Sequence, residues 1–416
     1  MAKNTVDGSG VRLPWAGKSV RIENVEEELS FLWKMSADNM RTGANINVRT
    51  SVLNFVICAP DIETAQHASK LLRDLASTHL ARVTLLILDS SSNAAASVST
   101  WITLRCFSIY SDLMRHCFEQ TTVLTTGSAV RSAASIISPL LKPDLPVYLW
   151  WIGDPPDDTA LFSSLVELSN RVIVDSTSFF HPEQDIRTLA ELLQVVPNCA
   201  LSDLNWGRLT PWRQLVAQFF DVPEYRPYLA GVSSIEIEHA AAPLAAPMRT
   251  EEGDVSPNPT RTLLLAGWLK ERLGWTLPPD AQCYHDTASG THQWHLERPT
   301  VSYPPTRGKT GRLGSVRDGS ISIRPKVESD LRPGSICLVR LVSILENKQA
   351  TFTISREKDL ETVLTSVELS QETRPQRTVS LASIHNESEL LHDELEITGH
   401  DYPFEHTLQE LAELLG

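Results

Sequence analysis

The chain has 416 residues, of which 42% are apolar, so it is long enough to build two hydrophobic cores. Its 51 acidic and 37 basic residues give a net charge of -14, which disfavours nucleic acids and anionic membranes as partners. No apolar run reaches the ~20 residues that cross a bilayer, and the polar residues 1–10 are unlike a signal peptide. Composition therefore predicts a two-domain cytoplasmic protein.

The first elements predict a flexible arm at residues 1–20, followed by an α/β domain. A capped amphipathic helix comes first. Two runs rich in β-branched residues, at 48–58 and 82–88, then flank a helix at 61–80 that Asp61 can cap. This spacing is typical of two parallel strands joined by a right-handed crossover.

The most apolar strand is predicted at residues 147–152, and it contains two adjacent tryptophans. Prolines bound the run on both sides, as expected of a strand that is buried on both sheet faces. Because neighbouring strand residues point to opposite faces, Trp150 and Trp151 must pack on different sides. We expect one indole to hold the sheet to a helix, and the other to shape a rigid rim with residues 153–156.

Alternating strands and helices continue to about residue 230, which predicts a Rossmann-like, doubly wound, mostly parallel sheet over residues 21–230. A dinucleotide site is not expected, because no Gly-x-Gly-x-x-Gly follows these strands. The first strand turns instead through Ala59, Pro60 and Asp61. We therefore predict no cofactor.

Three aspartates, Asp154, Asp157 and Asp158, follow the central strand. Catalytic groups of α/β enzymes lie at this edge, so these carboxylates are the best candidates if the protein is an enzyme. The alternative is that they cap the next helix. No Gly-x-Ser-x-Gly motif accompanies them, and we predict no catalytic residue.

A second tryptophan-bearing block spans residues 202–213. Ser202 or Asp203 can cap a turn, and Thr210 can cap a helix with Pro211 at its first position. That helix is either a buried amphipathic element or an exposed edge whose tryptophans and arginines resemble an interface hot spot. The predicted partner-interface residues are Trp150, Trp151, Asp154, Pro155, Pro156, Trp206, Arg208, Trp212 and Arg213.

The character of the chain changes after residue 230, and a smaller α+β domain is predicted over residues 231–416. Residues 240–260 are rich in Ala and Pro and predict a flexible insertion. A helix at 260–273 ends at Gly274, several short strands follow, and a helix at 402–415 closes the chain.

The second domain contains two further candidate sites. Residues 298–319 form a basic loop that is either simply solvated or a site for a sugar phosphate or an acidic surface. Four potential metal ligands lie close in sequence, namely Cys283, His285, His292 and His295. Their spacing fits no standard zinc pattern, and an offset of three places the last two on opposite faces of a strand. We predict no metal site.

Four separated blocks carry a family resemblance. They are Arg-Thr-Ser-Val-Leu-Asn at 49–54, Pro-Asp-Leu-Pro-Val with Leu-Trp-Trp and Gly-Asp-Pro-Pro within 143–156, Ser-Asp-Leu with Trp and Arg-Leu-Thr-Pro-Trp-Arg within 202–213, and Leu-Leu-Ala-Gly-Trp-Leu with Leu-Gly-Trp within 264–275. In this order and with these tryptophans, they resemble OpcA, the glucose-6-phosphate dehydrogenase assembly family.

The resemblance implies a non-catalytic cytoplasmic protein of cyanobacteria or actinobacteria in the oxidative pentose phosphate pathway. Its partner would be glucose-6-phosphate dehydrogenase, whose active oligomer it would assemble and activate. The alternative is an α/β enzyme or a metabolite-sensing module that acts on or binds a sugar phosphate.

Cyanobacterial members of the family are linked to thioredoxin, which the resemblance makes a second expected partner. The six cysteines lie far apart without a Cys-x-x-Cys pair, and reduced thiols are expected. Cys58 and Cys106 fall in predicted core strands and should be inert, so Cys283 and Cys337 are the redox candidates.

Overall fold

The computed structural model describes residues 17–38, 46–48, 51–75, 81–90, 95–108, 114–156, 159–241, 249–250, 253–254, 258–279, 284–286, 289–299, 318–328, 331–356, 362–370, 372–373, 376–381 and 386–416. The chain divides into two compact units. The first comprises Met1–Asp175, Glu191–Leu204 and His385–Asp401, and the second comprises Ser176–Ala190, Asn205–Ile384 and Tyr402–Gly416. Each unit is thus formed by three separate segments of the chain, whereas the sequence analysis predicted a single domain boundary near residue 230. Most of the predicted arm and insertion lies outside the described residues.

The described helices are α1 (Val25–Asp38), α2 (Ile62–Leu75), α3 (Ala133–Ile137), α4 (Thr159–Glu167), α5 (Pro182–Val195), α6 (Leu204–Arg208), α7 (Thr210–Asp221), α8 (Thr260–Leu273), α9 (Glu387–Glu396) and α10 (Tyr402–Leu415). Among these described helices, none is long and apolar enough to cross a membrane.

The described strands of the first unit are β1 (Lys18–Val20), β2 (Ile46–Val48), β3 (Leu53–Ala59), β4 (Ala81–Asp89), β5 (Ser97–Ser108), β6 (Met114–Thr126), β7 (Val147–Trp151), β8 (Arg171–Val174) and β9 (Ala200–Asp203). Those of the second are β10 (Val232–Ala241), β11 (Arg249–Thr250), β12 (Gly253–Asp254), β13 (Tyr284–Asp286), β14 (Thr291–Glu297), β15 (Asp318–Val327), β16 (Ile336–Leu345), β17 (Lys348–Arg356), β18 (Thr362–Leu369), β19 (Glu372–Thr373) and β20 (Arg377–Ser380).

The sheet of the first unit confirms the predicted Rossmann-like architecture. Its strand order is β1-β5-β6-β4-β3-β7-β8-β9, and the neighbours from β6 to β9 are parallel. From β3 the chain proceeds outward through β4 and β6, then returns to the other side of β3 as β7. The order of the strands thus reverses between β3 and β7, where sheets of this type form a crevice.

The second unit contains a mostly antiparallel nine-stranded sheet, which confirms the α+β prediction. Its central strand β10 is parallel to β15 and antiparallel to β16. Burial alternates along these strands, so one face packs into a core. In that core, Phe352 of β17 contacts Phe219 and Phe220 of α7.

Helices α8 and α10 pack closely in the second unit, and the contact requires a glycine. A Cβ atom placed on Gly267 of α8 would lie 3.0 Å from the carbonyl oxygen of Thr407 and 3.1 Å from Cβ of Leu411. The ammonium of Lys270, one turn further along, is buried and pairs with Glu410 and Glu413. Close backbone approach and a paired charge therefore fix this helix pair.

The first unit is built around the buried guanidinium of Arg171 on β8. It donates to the hydroxyl of Ser202 on β9 and to the carbonyl oxygen of Gly399. Its Nη1 also lies 3.6 Å from the carboxylate of Glu394 on α9. Burial raises the pKa of Glu394, against the opposing effects of Ser202 and Arg171. Residues 386–401 are thereby tied to the parallel sheet.

Replacing the guanidinium tests its role. Arg171→Ala removes the buried counter-charge of the Glu394 carboxyl and the donor to the Gly399 carbonyl, and we expect a loss of about 3–5 kcal/mol in the free energy of unfolding. Urea unfolding followed by tryptophan fluorescence measures it. The control is Arg21→Ala, whose pair with Glu23 has side chains 80% and 63% exposed, and which should cost less than about 1 kcal/mol. Similar losses in both variants would contradict this role.

Candidate functional site

A cleft of about 760 Å³ opens in the first unit where the strand order reverses. It is lined by the ends of β3, β4 and β7, by the turn after β6 and by the start of α4. Its polar lining includes Ser90, Ser128, Arg131 and Asp154, and its apolar wall includes Trp151. We call it the switch-point cleft. It occupies the position at which Rossmann-like sheets bind ligands.

The turn from β3 into α2 does not fit a dinucleotide. Pyrophosphate binding needs free backbone N–H groups at this helix start, in a loop of glycines. Here Pro60 has no N–H, and the Oδ1 atom of Asp61 accepts a hydrogen bond from the backbone N of Thr64 at 2.7 Å. The predicted cap is thus confirmed, and its carboxylate would repel a phosphate at the same place.

The two adjacent tryptophans of β7 pack on opposite faces, as predicted. Trp150 is 1% exposed and stacks on Phe55 of β3, with ring centroids 6.4 Å apart, in a core that α2 and α9 cover. Trp151 is 6% exposed, contacts Phe162 of α4 edge-on and lines the switch-point cleft.

Trp151 also organises the rim of this cleft. Its indole N–H donates to the carbonyl oxygen of Asp154 at 2.8 Å. Gly153 between them has a φ of 100°, a conformation that suits glycine. Pro155 is buried, whereas Asp154 and Pro156 are partly exposed. The rim therefore presents these last two side chains rather than the indoles.

The second tryptophan block is also mostly internal. Trp206 and Trp212 are each 3% exposed, and Trp206 packs on Phe404 of α10. Arg213 stacks its guanidinium over the Trp206 ring at 3.6 Å and, like Arg208, stays partly exposed. All four tryptophans of the predicted interface, Trp150, Trp151, Trp206 and Trp212, are buried. In this structure they pack inside the protein and do not act as exposed anchors.

Of the capping predictions in this block, the one for α7 is wrong. Ser202 and Asp203 are the last two residues of β9, directly before α6, and the Ser202 hydroxyl belongs to the Arg171 network. Helix α7 begins at Thr210 after Leu209, which caps it without a side-chain hydrogen bond. The Thr210 hydroxyl instead accepts from Arg213 at 2.9 Å.

The cysteines differ from prediction. Cys106 of β5 and Cys117 of β6 lie opposite each other with Cα atoms 4.0 Å apart, and they form a disulfide. Cys106 is exposed, which corrects both the expected reduced thiols and its expected core position. Burial raises the pKa of Cys337 to about 11, which makes it a poor thiolate and a poor redox candidate. Cys283 lies outside the described residues.

Other predicted groups are only partly described. Asp157, Asp158 and most of the basic loop at 298–319 lie outside the described residues. Arg298 is described, and it donates to the carbonyl oxygens of Gly231 and Val232, at 3.2 and 2.9 Å. This arginine therefore serves a structural role in the second unit.

Sequence reasoning missed a broad surface on the second sheet. The side chains that alternate with the core residues on β14, β15, β10, β16, β17 and β18 are partly or fully exposed. We call this surface the outer sheet face. Near its centre, Glu236 accepts hydrogen bonds from Arg340 at 2.7 Å and from Arg324 at 3.2 Å. Ile344, on the same face, is 48% exposed.

Two family models match the chain. One, described as the N-terminal domain of the glucose-6-phosphate dehydrogenase subunit, matches residues 72–191. The other, described as the C-terminal domain of the same protein, matches residues 199–408, just over half of the chain.

Curated relatives are found among cyanobacterial OpcA proteins. The OpcA of Synechocystis sp. is 36% identical over 160 residues, and that of Nostoc punctiforme is 37% identical over 160 residues. Each alignment covers 38% of this chain and 30% of the relative. The matched part thus spans less than a third of these relatives.

Solved structures with a similar course of the chain are dehydrogenases and reductases. An NAD binding oxidoreductase from Klebsiella pneumoniae has a TM-score of 0.47 and 11% identity, over 88% of this chain and 95% of that one. Biliverdin reductase from Synechocystis sp. has a TM-score of 0.44 and 10% identity, over 87% and 96%. Similarity at this level does not bear on function.

The packing role of Trp150 can be tested by truncation. We expect Trp150→Ala to lower the free energy of unfolding by roughly 3–5 kcal/mol, because it empties a buried site between the sheet and its helices. Thermal and urea unfolding measure this loss. Phe31, an aromatic residue of α1 that is 52% exposed, provides the matched control, and Phe31→Ala should cost far less. A Trp150→Ala variant with unchanged stability would show that the indole is not a core residue.

Proposed function

The chain belongs to the OpcA family of glucose-6-phosphate dehydrogenase subunits, and we propose that it is a non-catalytic protein that assembles and activates this dehydrogenase. The observation that carries the proposal is the pair of matched family domains between residues 72 and 408. The names of the cyanobacterial relatives, which refer to the OxPP cycle, agree with it. A cytoplasmic location goes with this role.

The turn at Asp61 supports the non-catalytic part of the proposal. A dehydrogenase with this sheet would hold its dinucleotide at the start of α2, where Asp61 places a carboxylate and Pro60 removes a donor. The protein would thus keep the architecture of an oxidoreductase without its phosphate cradle. Activation then requires only that it bind the active dehydrogenase better than the inactive one, and a ~100-fold preference supplies roughly 2.7 kcal/mol.

We assign the partner contact to the outer sheet face. Strands lie about 4.8 Å apart, so its six strands make a surface roughly 24 Å wide, which suits the ~800 Å² that a stable interface buries on each partner. Ile344 offers an exposed aliphatic group there, and the Glu236 network supplies fixed charges. The predicted interface residues that keep partial exposure, Asp154, Pro156, Arg208 and Arg213, form the competing surfaces.

A binding assay with glucose-6-phosphate dehydrogenase from the same organism tests the role and the surface together. The purified protein should raise the activity of the dehydrogenase and co-elute with it in gel filtration. Ile344→Arg places a charge in the proposed interface, and we expect the affinity to fall by about tenfold or more. Dehydrogenase activity against concentration of the variant measures this effect.

Matched variants make the result decisive. Val195→Arg changes an aliphatic residue that is 71% exposed on α5, and it should activate like the unmodified protein. Asp154→Arg tests the rim of the switch-point cleft. Loss of activation in Asp154→Arg but not in Ile344→Arg would move the interface to the rim. No activation by the unmodified protein, oxidised or reduced, would reject the function itself.

We further propose that the disulfide between Cys106 and Cys117 makes activation depend on redox state, with thioredoxin as a candidate reductant. Three features support this proposal. The two cysteines face each other in neighbouring strands, they lie eleven residues apart, and Cys106 is exposed and can be reached by a reductant. Cys337 is buried and less suited, since its thiol ionises poorly.

Cys106→Ser tests the redox proposal. In oxidising buffer we expect it to lower the free energy of unfolding by about 3 kcal/mol, the contribution of a bond that closes a loop of this length. It should also abolish any difference in dehydrogenase activation between oxidised and reduced protein. Alkylation and mass spectrometry count the free thiols. A redox response that survives in Cys106→Ser and disappears in Cys337→Ala would transfer the role to Cys337.

The switch-point cleft favours a second candidate function, the binding of a sugar phosphate or a related metabolite. Its volume of about 760 Å³ falls within the ~300–1,000 Å³ of ligand pockets, and Arg131 and Ser128 are polar groups on its wall. A rise in the Tm of the protein on addition of a sugar phosphate, or turnover of a sugar phosphate by the protein alone, would favour this function over dehydrogenase activation.

A further inference from the structure

Glu183, His285 and His292 form a cluster in the second unit that the proposed function does not use. Glu183 lies in the first turn of α5, and the two histidines are cross-strand neighbours on β13 and β14. One potential ligand atom of each residue lies within 4.8 Å of the others. Three separate segments of the chain thus bring two imidazoles and a carboxylate together.

A single carboxylate oxygen faces both imidazoles. The Oε1 atom of Glu183 lies 2.8 Å from Nε2 of His292 and 3.7 Å from Nδ1 of His285. Ligand atoms bound to one ion at about 2.1 Å are roughly 3–3.5 Å from each other, so these separations are close to those of a coordination sphere.

The two imidazole rings stack, and this arrangement has to change for ligation. Their centroids are 4.1 Å apart and their planes differ by 16°, so one ion cannot lie in both planes. The His285 side chain is 34% exposed on the strand next to β14, and its ring can turn toward the solvent side of Glu183. The His292 side chain is 4% exposed and already directs Nε2 at the carboxylate.

Two histidine rings of this unit each have one buried nitrogen atom without a hydrogen bond among the described residues. Among the described residues, Nδ1 of His292 is buried without a hydrogen-bond partner, and so is Nε2 of His239 on β10. Burial lowers the pKa of His239. Buried polar atoms without partners cost free energy and are rare in folded proteins.

We propose that Glu183, His285 and His292 bind one divalent transition-metal ion of the zinc class, with water as the remaining ligand. Two imidazoles and one carboxylate suit Zn²⁺ and Co²⁺ better than Mg²⁺ or Ca²⁺. The partly exposed His285 provides the entry side. The ion would tie the start of α5 to the hairpin of β13 and β14.

The sequence analysis, which predicted no metal site, considered Cys283, His285, His292 and His295 but no carboxylate. His295 is exposed on the other face of β14, as its offset of three from His292 implies. The carboxylate ligand lies 109 positions before His292, and no local spacing could add it.

Metal titration of the full-length, chelator-treated protein tests the site. Co²⁺ should bind at one equivalent and give the visible absorption of a four- or five-coordinate ion, and Zn²⁺ should displace it. We expect Glu183→Gln and His285→Ala to weaken binding by at least about 100-fold, since even residues that only support a ligand contribute 10- to 100-fold. Zn²⁺ should raise the Tm of the unmodified protein and leave that of His285→Ala unchanged.

His295→Ala is the matched control, because it removes an exposed histidine three residues from a proposed ligand. It should bind Co²⁺ like the unmodified protein. Because His285 and Glu183 are partly exposed, their variants should fold, which circular dichroism verifies. Absence of Co²⁺ binding by the unmodified protein would overturn the proposal, and so would equal binding by His285→Ala. The result is independent of dehydrogenase activation, so either idea can fail alone.

Discussion

The first unit depends on one buried guanidinium, that of Arg171, being paired and hydrogen-bonded. Arg171 stands at the start of β8 with 1% of its side chain exposed, and a buried charge is tolerated only when it is paired and hydrogen-bonded. Ser202 comes from the neighbouring strand, but Glu394 and Gly399 come from the far end of the chain. The same segment also accepts a hydrogen bond from the Tyr148 hydroxyl at Ile397. The returning segment therefore completes the α/β unit.

The opposite edge of the same sheet contains the cleft. There β3, β4 and β7 end at the switch-point cleft, and the rim is fixed by one indole and one glycine. An architecture that elsewhere holds a dinucleotide has its helix start occupied by Asp61. Family membership and this occupied helix start both support the proposal that the protein acts by binding another protein. The outer sheet face of the second unit is the surface that we propose for that contact.

The sequence predicted the elements well where a local pattern determines them. The apolar run of β7, the Asp61 cap and the stop of α8 at Gly274, whose φ is 62°, all follow from residues within one element. The orientation of the tryptophan blocks could not be predicted in this way. The sequence pattern of a buried amphipathic helix is the same as that of an exposed one. Burial here depends on a residue far along the chain, Phe404, which packs on Trp206.

Contacts between distant segments of the chain could not be predicted from the sequence either. Helix α9 was not predicted, and the partner of its Glu394, Arg171, precedes the helix by more than 200 residues. The disulfide depends on the register of β5 against β6, which places Cys106 opposite Cys117. The Glu183 cluster joins a helix start to a hairpin. In each case the chemistry is ordinary, and only the three-dimensional fold brings the groups together.

The contact at Gly267 has a consequence for how this protein can vary. Since a Cβ atom at this position would lie 3.0 Å from the carbonyl oxygen of Thr407 and 3.1 Å from the Cβ of Leu411, closer than ordinary contacts, a methyl group on α8 requires α10 to shift by a few tenths of an ångström. Moving α10 would disturb the buried ammonium of Lys270 and its two carboxylate partners. A substitution that moves these two helices apart therefore affects the helix contact and the ion pairs of Lys270 together. A displacement of one helix alone would disrupt both the contact at Gly267 and the ion pairs of Lys270 with Glu410 and Glu413.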